Sequence, residues 1–250
     1  MTNAHPGVAV VSGGLGAIGT AICRELAASL GVRVVALDLA ANPARARAFD
    51  DALAGHDARH LECDVTDADR CEAAVARIEA ECGPITVLVN NAGIARDSSL
   101  RKMTREQWDA VRAVNYDSLY NLTRPVLEAM LARGYGRIVG VASIVGQTGA
   151  FGQANYAASK AATHGFTMAL AREVAAKGIT ANTVSPGYVR SAMTEAIPED
   201  VRERILAGVP VGRVGEPGDI ARAVAFLCAP AASYITGVNL PVNGGLFISF

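Results

Sequence analysis

The chain has 250 residues, of which 51% are hydrophobic and 19% are charged, enough apolar material to bury a sizeable core and to exclude a disordered protein. The 23 basic and 24 acidic side chains leave a net charge of −1, which argues against nucleic acid or an anionic membrane as the main partner. A local basic pocket for a phosphate-bearing substrate is compatible with this balance.

The cysteine pattern and the distribution of apolar residues indicate the cellular compartment. The five cysteines are scattered, odd in number and without a CxxC pair, so a reducing environment is favoured over a disulfide framework. Met1 to Gly7 show no basic region followed by an apolar stretch, and no run of about eighteen apolar residues occurs. We therefore expect a cytoplasmic protein without a transmembrane helix.

Short apolar runs alternate with helical stretches along the whole chain. Most of the apolar runs are too uniform for a sheet with one wet face, so they favour a parallel sheet covered on both sides. The predicted strands are Val8–Val11, Arg33–Leu37, Arg59–Cys63, Thr86–Val89, Arg137–Ala142, Ile179–Val184 and Val238–Val242. The predicted helices are Ala17–Leu30, Asp67–Cys82, Thr104–Arg133, Gln153–Lys177, Val201–Ala207 and Asp219–Cys228.

Local signals mark several helix ends. Thr104 and Gln107 have the spacing of a capping box, and Gly31 and Gly178 stand where a helix needs a left-handed residue. Pro125 is expected to kink or split the long fourth helix. With no repeat and no change of composition, the sequence predicts one α/β domain over residues 1–250, a Rossmann-type doubly wound parallel sheet of about seven strands.

A glycine-rich turn follows the first predicted strand. Gly14, Gly16 and Gly19 satisfy GxGxxG, and a helix begins directly after them, so backbone N–H groups can approach a pyrophosphate there. Asp38 ends the next strand, 19 residues after Gly19, where a carboxylate can accept both hydroxyls of an adenosine ribose. The alternative is an ordinary βα turn with a solvated aspartate.

Tyr156 and Lys160 are four residues apart and share one helix face. A free tyrosine titrates near pH ~10, and an adjacent ammonium, helped by the positive charge of an oxidised nicotinamide, is expected to lower that pKa. The spacing alone is common and usually structural. Ser143, at the end of the fifth strand, and the Asn90–Gly93 segment, at the end of the fourth, are expected on the same edge of the sheet.

These elements together resemble the short-chain dehydrogenase/reductase family over essentially the whole chain. Ala17 stands where the family usually has a glycine, while Gly14 and Gly16 keep the loop flexible. The matching elements are Gly13-x3-Ala17-Ile18-Gly19, Asp64, Asn90-Asn91-Ala92-Gly93, Asn115, Ser143, Tyr156-x3-Lys160 and Pro186-Gly187.

The resemblance implies a catalytic set and a nicotinamide cofactor site. Ser143 would orient the substrate oxygen, Tyr156 would exchange the proton, Lys160 would bind the nicotinamide ribose, and Asn115 would support a water chain to solvent. Asp64 would contact adenine and Ser191 the nicotinamide end. The implied cofactor contacts are Gly13, Gly16, Ala17, Ile18, Gly19, Asp38, Asp64, Val65, Asn91, Ala92, Gly93, Tyr156, Lys160, Pro186, Gly187, Val189 and Ser191.

Four segments narrow the resemblance: Arg96–Met103, Gly149–Tyr156, His164–Leu170 and Ser185–Tyr188. Through them the chain resembles the acetoacetyl-CoA reductases first and the 3-oxoacyl-carrier-protein reductases next. Physically, Phe151 and Tyr188 offer apolar walls, Gln153 can hydrogen-bond a carbonyl, and Lys102 can meet a phosphate. Phe151, Tyr188, Arg101 and Lys102 have ordinary packing or solvated-face alternatives. The resemblance implies a thioester pocket lined by Asp97, Lys102, Ser143, Phe151, Gln153 and Tyr188.

One departure bears on the cofactor. The acetoacetyl-CoA reductases of polyhydroxybutyrate synthesis typically use NADPH and lack an acidic residue after the second strand. This chain has Asp38 at that position, and a carboxylate repels the 2′-phosphate of NADP(H). NAD(H) is therefore expected over NADP(H), although Arg45 or Arg47 could fold back onto a phosphate. No metal is expected, because His56 and His60 have no obvious third ligand.

The expected function is reversible hydride transfer between NAD(H) and a 3-oxoacyl or (R)-3-hydroxyacyl thioester, with acetoacetyl-CoA preferred. The alternatives are a carrier-protein thioester, a small free alcohol or ketone, and a nucleotide sensor without turnover. A homotetramer is expected from the family and from the apolar end of the chain, where Leu246, Phe247, Ile248 and Phe250 lie close together. The alternative is that this end packs on its own core.

Overall fold

The computed structural model describes residues 7–39, 42–191 and 199–248, without the side chains of residues 200 and 201. Seven strands form one sheet in the order β3-β2-β1-β4-β5-β6-β7, and every neighbouring pair is parallel. The α/β Rossmann-type fold is thereby confirmed. The strands are β1 Val8–Ser12, β2 Arg33–Asp38, β3 Ala58–Glu62, β4 Ile85–Asn90, β5 Gly136–Val141, β6 Ile179–Pro186 and β7 Asn239–Val242.

Helices connect the strands and cover both faces of the sheet. The described helices are α1 Ala17–Leu30, α2 Pro43–Ala52, α3 Ala68–Glu81, α4 Arg105–Arg112, α5 Ser118–Arg133, α6 Val145–Thr148, α7 Ala154–Val174, α8 Glu199–Ala207 and α9 Pro217–Cys228. A π-helical turn, Ala113–Asp117, joins α4 to α5, and a 3-10 turn, Ala175–Lys177, follows α7. Within the described ranges no helix is both long enough and apolar enough to cross a membrane.

The core has two layers because successive strand residues point to opposite faces. Ala9 and Val11 of β1 pack with α1 and α9, whereas Val8 and Val10 pack with α3, α5 and α7 on the other side. β3 differs from the central strands, since it lies at the edge of the sheet and its residues are exposed or half-buried. Its carboxyl end is therefore held by fewer neighbours than that of any central strand.

Most of the local signals are confirmed. Thr104 and Gln107 form a capping box at the start of α4, and Gly31 and Gly178 both adopt left-handed conformations, with φ of 64° and 74°. The sequence missed α2, a polar helix whose only buried residue is Phe49, and the four-residue α6. His60 packs edge-on against Phe49, with ring centroids 6.3 Å apart.

Pro125 is expected to kink or split the fourth helix, and the split does not occur. α5 continues through Pro125 from Ser118 to Arg133, and the irregularity lies earlier, in the π-helical turn. A proline removes one backbone donor, and here the buried neighbours Leu122 and Val126 hold the helix against the sheet on either side of it. The π-helical turn instead contains Asn115, which is buried.

Candidate active site

A cavity of about 780 Å³ opens along the carboxyl edge of the sheet, between β1 and the two strands beside it. This edge is where open α/β sheets bind ligands, because the chain leaves β1 toward one side and returns on the other. All seventeen residues expected to contact a cofactor line this one cavity. Arg45, which the sequence suggested as a possible phosphate contact, also lines it, and so do residues that the sequence did not indicate: Leu15, Leu37, Leu39, Cys63, Ile94, Val114, Val141 and Ala142.

The floor of the cavity depends on the Ser12 hydroxyl, which the sequence did not single out. Ser12 Oγ donates to the Val89 carbonyl at 3.4 Å and accepts from the backbone N–H groups of Asn91 and Ala92, each at 3.0 Å. The Asn91 amide donates back to the carbonyls of Ser12 and Gly13, at 2.9 and 3.1 Å. These bonds join the ends of β1 and β4 into one surface.

The glycine loop is shaped so that side chains are excluded from it. Gly13 has φ of 62°, and a Cβ there would lie 2.9 Å from the Ala92 Cα. A Cβ on Gly14 would lie 2.4 Å from the Ala36 Cβ, and one on Gly19 would lie 2.2 Å from the Gly13 carbonyl oxygen. The backbone can therefore approach a ligand closely, and Ala17, which stands in place of the usual glycine, begins α1 without strain.

The start of α1 and the end of β2 fit the two ends of an adenosine diphosphate. Gly16 caps α1 without a side-chain hydrogen bond, and no acidic residue occupies the first turn, so the helix end is open to an anion. Asp38 is held in place, since Oδ2 accepts from Leu15 N at 3.1 Å and Oδ1 from Leu39 N at 2.9 Å. Arg45 also pairs with Asp38 Oδ2, at 3.2 Å. These residues fit a dinucleotide cofactor.

The polar groups of the opposite wall come from the turn after β5 and from α7. Ser143 lies two residues beyond β5; its Oγ accepts from Val145 N at 3.2 Å, and its hydroxyl is also hydrogen-bonded with Tyr156. Tyr156 and Lys160 line the same wall from α7. Lys160 is buried and donates to the Val141 carbonyl at 2.8 Å, with Nζ 5.8 Å from the centre of the Tyr156 ring.

Asn115 lies behind this wall and does not line the cavity. Its Oδ1 accepts from Ile94 N at 2.8 Å, while Nδ2 donates to the Ile94 carbonyl at 3.0 Å and to Ser159 Oγ at 3.1 Å. Ser159 in turn donates to the Tyr156 carbonyl at 2.8 Å. Asn115 thus connects the loop after β4 to the first turns of α7.

Asn155 is a second connecting residue that the sequence analysis overlooked. It is buried, and its Nδ2 donates to the carbonyls of Arg96, at 3.1 Å, and Gln107, at 3.3 Å. Its Oδ1 accepts from Tyr156 N at 2.8 Å. Its place beside Tyr156 was visible in the sequence, but nothing in the sequence indicated which carbonyls it would bind.

Burial dominates the electrostatics of the wall. It lowers the pKa of Lys160 to about 8. Burial also raises the pKa of Tyr156, against a smaller opposing effect of the hydrogen bond with Ser143, and Asp97 raises it further. The expectation that the adjacent ammonium lowers the tyrosine pKa is therefore wrong for the chain alone, because Lys160 is directed at the Val141 carbonyl and loses solvation itself.

The residues expected to bind substrate are only partly brought together. Gln153 Nε2 donates to Asp97 Oδ2 at 2.8 Å, and Ser98 N donates to the Gly152 carbonyl at 2.8 Å, so the loop after β4 and the turn before α7 form one rim. Lys102 is exposed in a turn at the start of α4. Tyr188 lines a separate cavity of about 250 Å³ together with Arg213 and Asp219.

Phe151, which is expected to wall the substrate pocket, lines neither of the two cavities found among the described residues. Phe151 is 96% exposed, in a turn between two glycines, Gly149 and Gly152, that both have positive φ. The turn therefore leaves the ring exposed among the described residues.

Comparison with known proteins gives a consistent relationship over nearly the whole length. Residues 13–247 match the family model described as enoyl-(acyl carrier protein) reductase. The chain is 49% identical over 243 residues to the acetoacetyl-CoA reductase of Allochromatium vinosum, covering 96% of this chain and 98% of that protein. It is 48% identical over 240 residues to the acetoacetyl-CoA reductase of Cupriavidus necator, covering 96% and 97%.

A third relative is the 3-oxoacyl-[acyl-carrier-protein] reductase of Escherichia coli, 44% identical over 241 residues and covering 96% of this chain and 97% of that protein. The matched region contains the glycine loop, Ser143, Tyr156 and Lys160. The chain belongs to the short-chain dehydrogenase/reductase family, and it is an oxidoreductase that acts on C=O and CH–OH groups with a nicotinamide cofactor.

Proposed function

We propose that the chain interconverts a 3-oxoacyl thioester and the (R)-3-hydroxyacyl thioester, with acetoacetyl-CoA as the preferred substrate and NAD(H) as the preferred cofactor. The observation that carries the chemistry is that Ser143, Tyr156 and Lys160 line the same cavity as the glycine loop and Asp38. The thioester assignment rests on similarity to reductases of acetoacetyl-CoA and of carrier-protein thioesters. We take residues 1–250 as one domain that both binds the dinucleotide and contains the catalytic residues.

A nicotinamide held in this cavity would supply the hydride in reduction and would accept it in oxidation. In reduction, Tyr156 gives its phenolic proton to the carbonyl oxygen, while the Ser143 hydroxyl, which is hydrogen-bonded with Tyr156 before substrate enters, donates to that oxygen. Because burial raises the pKa of Tyr156, the phenol is protonated at neutral pH, as reduction requires. Alcohol oxidation needs the phenolate and is therefore favoured at higher pH.

Lys160 and Asn115 support that proton transfer. Lys160 is fixed by the Val141 carbonyl beside the tyrosine, and we assign it to the nicotinamide ribose. Since the pKa of Lys160 is about 8, its charge is available at neutral pH and is lost in mildly alkaline solution. Asn115 holds the Ile94 backbone and Ser159, and through them the register of α7 on which Tyr156 lies; we assign it also to a water chain that leads to solvent.

The preference for NAD(H) rests on Asp38. Its carboxylate lies at the cavity wall beside the glycine loop, where it can accept ribose hydroxyls and repel a 2′-phosphate. Arg45 also lines the cavity and is paired with that carboxylate, so it is not free to receive a phosphate while Asp38 is present.

A carrier-protein thioester or a small free ketone is the alternative substrate, and a non-catalytic nucleotide sensor is the alternative from another class. A sensor does not require a buried lysine beside a tyrosine and a serine, so the arrangement of the wall favours turnover. Initial rates with acetoacetyl-CoA, a carrier-protein thioester and neutral ketones, each with NADH and NADPH, distinguish these functions.

Replacing the proton donor should remove turnover without removing binding. Tyr156→Phe keeps the ring on α7 and deletes only the hydroxyl, so kcat for acetoacetyl-CoA should fall by at least about 10²-fold, while the NADH dissociation constant stays within about twofold. Stopped-flow rates and fluorescence titration measure the two effects, with Tyr120→Phe, on the exposed surface, as the control. Near-normal kcat in the Tyr156 variant would overturn the assigned mechanism.

Buried Lys160 should make the free energy of unfolding of the cofactor-free protein depend on pH. Its pKa is about 8 in the folded chain and near its ordinary value of 10.5 when unfolded, so between those pH values the unfolded chain binds the additional proton. The free energy of unfolding should therefore rise with pH across this interval, by up to about 3 kcal/mol.

Urea unfolding of the wild-type and Lys160→Met proteins at pH 7 to 10.5 measures this contribution as the difference between the two curves. The exposed Lys177 on the following 3-10 turn provides the control, Lys177→Met, whose curve should follow that of the wild type. Parallel curves for wild type and Lys160→Met would show that Lys160 titrates normally in the folded chain.

Removing the carboxylate should change the choice of cofactor. Asp38→Ser deletes a ribose acceptor and releases Arg45, so the ratio of kcat/KM for NADH to that for NADPH should fall by at least about tenfold. Adding Arg45→Met should cancel the gain with NADPH. Glu62→Ser is the control, since Glu62 pairs with Asp38 in the sheet register but is exposed and outside the cavity. A wild-type enzyme that prefers NADPH would contradict the assignment.

The thioester assignment predicts that substitutions at the rim change the KM for the substrate and leave the affinity for the cofactor unchanged. Gln153→Ala breaks the bond to Asp97, and Tyr188→Ala opens the adjoining cavity, so both should raise KM for acetoacetyl-CoA and leave NADH affinity unchanged. Added salt should weaken acetoacetyl-CoA more than a neutral ketone, because only the CoA ester meets Lys102 and Arg101 through its phosphates. Efficient reduction of a neutral ketone without reduction of acetoacetyl-CoA would refute the thioester assignment.

We propose finally that the protein assembles as a homotetramer. Several large apolar side chains are exposed on the described surface, including Tyr120 on α5, Met168 on α7, Phe226 on α9 and Ile248 near the end of the chain. Leu246 and Phe247 are half-buried, whereas Phe250 lies outside the described residues. Light scattering should give four times the 25.8 kDa chain mass, and a monomer at micromolar concentration would exclude the assembly.

A further inference from the structure

Two cysteines lie side by side where β3 meets α3. Cys63 follows the last residue of β3 and Cys71 is in the first turns of α3, and their Sγ atoms are 4.0 Å apart. Both are free thiols. The turn between them includes Asp64 and Val65, which line the main cavity.

One member of this pair reaches the cavity and the other does not. Cys63 lines the cavity wall and is 3% exposed, whereas Cys71 is fully buried and its Sγ is 3.8 and 3.7 Å from the carbonyl oxygens of Asp64 and Val65. Cys63 is therefore the member of the pair that a small solute in the cavity approaches first.

The contact between the two thiols also favours the thiolate form of Cys63. A hydrogen bond from Cys71 lowers the pKa of Cys63, while the same bond raises the pKa of Cys71. The thiolate is the nucleophilic form of cysteine. Cys23 and Cys228 lack such a neighbour, and burial raises the pKa of both, that of Cys228 to about 12.

We propose that Cys63 and Cys71 form an oxidisable thiol pair, which a small hydroperoxide converts to a disulfide that obstructs the neighbouring end of the cavity. The formation of the disulfide is independent of the proposed function. Its effect on nucleotide affinity rests on the proposed placement of adenosine beside Asp64 and Val65.

The reaction balances in two steps. The Cys63 thiolate attacks one oxygen of hydrogen peroxide, the O–O bond breaks, and the departing hydroxide takes up the thiol proton to leave as water, so that Cys63 becomes a sulfenic acid. The Cys71 sulfur then attacks the sulfenic sulfur, and the displaced hydroxyl leaves as water with the Cys71 proton. Two thiols and one peroxide give one disulfide and two waters.

Forming the bond requires a local movement. A disulfide has an S–S distance of about 2.05 Å, so the two sulfurs must approach by about 2 Å. α3 is held by its buried residues Ala74, Val75 and Ile78, whereas β3 is the edge strand. The shift should therefore fall on the Cys63 side, where it displaces Asp64 and Val65 from the cavity wall.

Mass spectrometry of the wild-type protein tests the bond directly. After treatment with hydrogen peroxide and capping of free thiols, peptide mapping should find Cys63 linked to Cys71, with a loss of 2 Da that dithiothreitol reverses. Saturating NADH should slow this step at least about fivefold, because the nucleotide covers Cys63. The NADH dissociation constant of the oxidised protein should rise at least about tenfold.

Variants separate the pair from general thiol oxidation. Cys71→Ser keeps a group that can donate to the Asp64 or Val65 carbonyl, and should stop at a sulfenic acid on Cys63 that dimedone traps. Cys63→Ser should show neither product. Cys82→Ser is the matched control, because Cys82 is more exposed than Cys63 but has no thiol partner, and its NADH affinity should fall on oxidation as in wild type.

Oxidation of Cys82 before Cys63, or the absence of a Cys63–Cys71 disulfide, would overturn the proposal. A disulfide that leaves NADH affinity unchanged would overturn its coupling to the cavity. If the reduced protein binds neither NADH nor NADPH while the disulfide still forms, the proposed function fails and the thiol pair stands.

Discussion

The site depends on a small cluster of hydrogen bonds at the carboxyl edge of the sheet, where the Ser12 hydroxyl and the Asn91 amide join the ends of β1 and β4. The chain leaves β1 for β2 on one side, and the neighbour on the other side is β4, so a crevice opens between the two crossovers. Without a bond across it, the glycine loop and the Asn90–Gly93 segment would be separate surfaces. With it, they form one floor on which an extended ligand can lie.

The features that could be predicted from the sequence are those determined by residues close together along the chain. Short apolar runs that alternate with helical stretches allowed all seven strands to be recognised, including the edge strands β3 and β7, which are at most partly buried. A loop that excludes a Cβ at Gly13, Gly14 and Gly19 can only be glycine-rich. What the sequence could not predict depends on tertiary packing. The π-helical turn at Asn115 and the bonds of Asn155 are determined by backbone groups that lie far away along the chain, and α2 has only Phe49 to signal a buried face.

The pKa values of the residues in the cavity wall also depend on tertiary packing and could not be predicted from the sequence. The spacing of Tyr156 and Lys160 indicates that they share a helix face, but the pKa of each is governed by how much water the whole fold removes. Burial acts in opposite directions on the two groups, because the charged form of one is an anion and that of the other a cation. The wall thereby brings a protonated phenol and a readily deprotonated ammonium close together, a combination that spacing alone does not reveal.

The contacts of Asn155 have a consequence for how substrate and catalyst communicate. One amide holds the Arg96 carbonyl in the loop after β4, the Gln107 carbonyl in α4 and the N–H group of Tyr156. In the proposed mechanism, a displacement of that loop by an entering acyl chain is therefore transmitted to Tyr156. Substitutions in the loop will for this reason alter KM and kcat together, even where the substituted side chain touches neither substrate nor tyrosine.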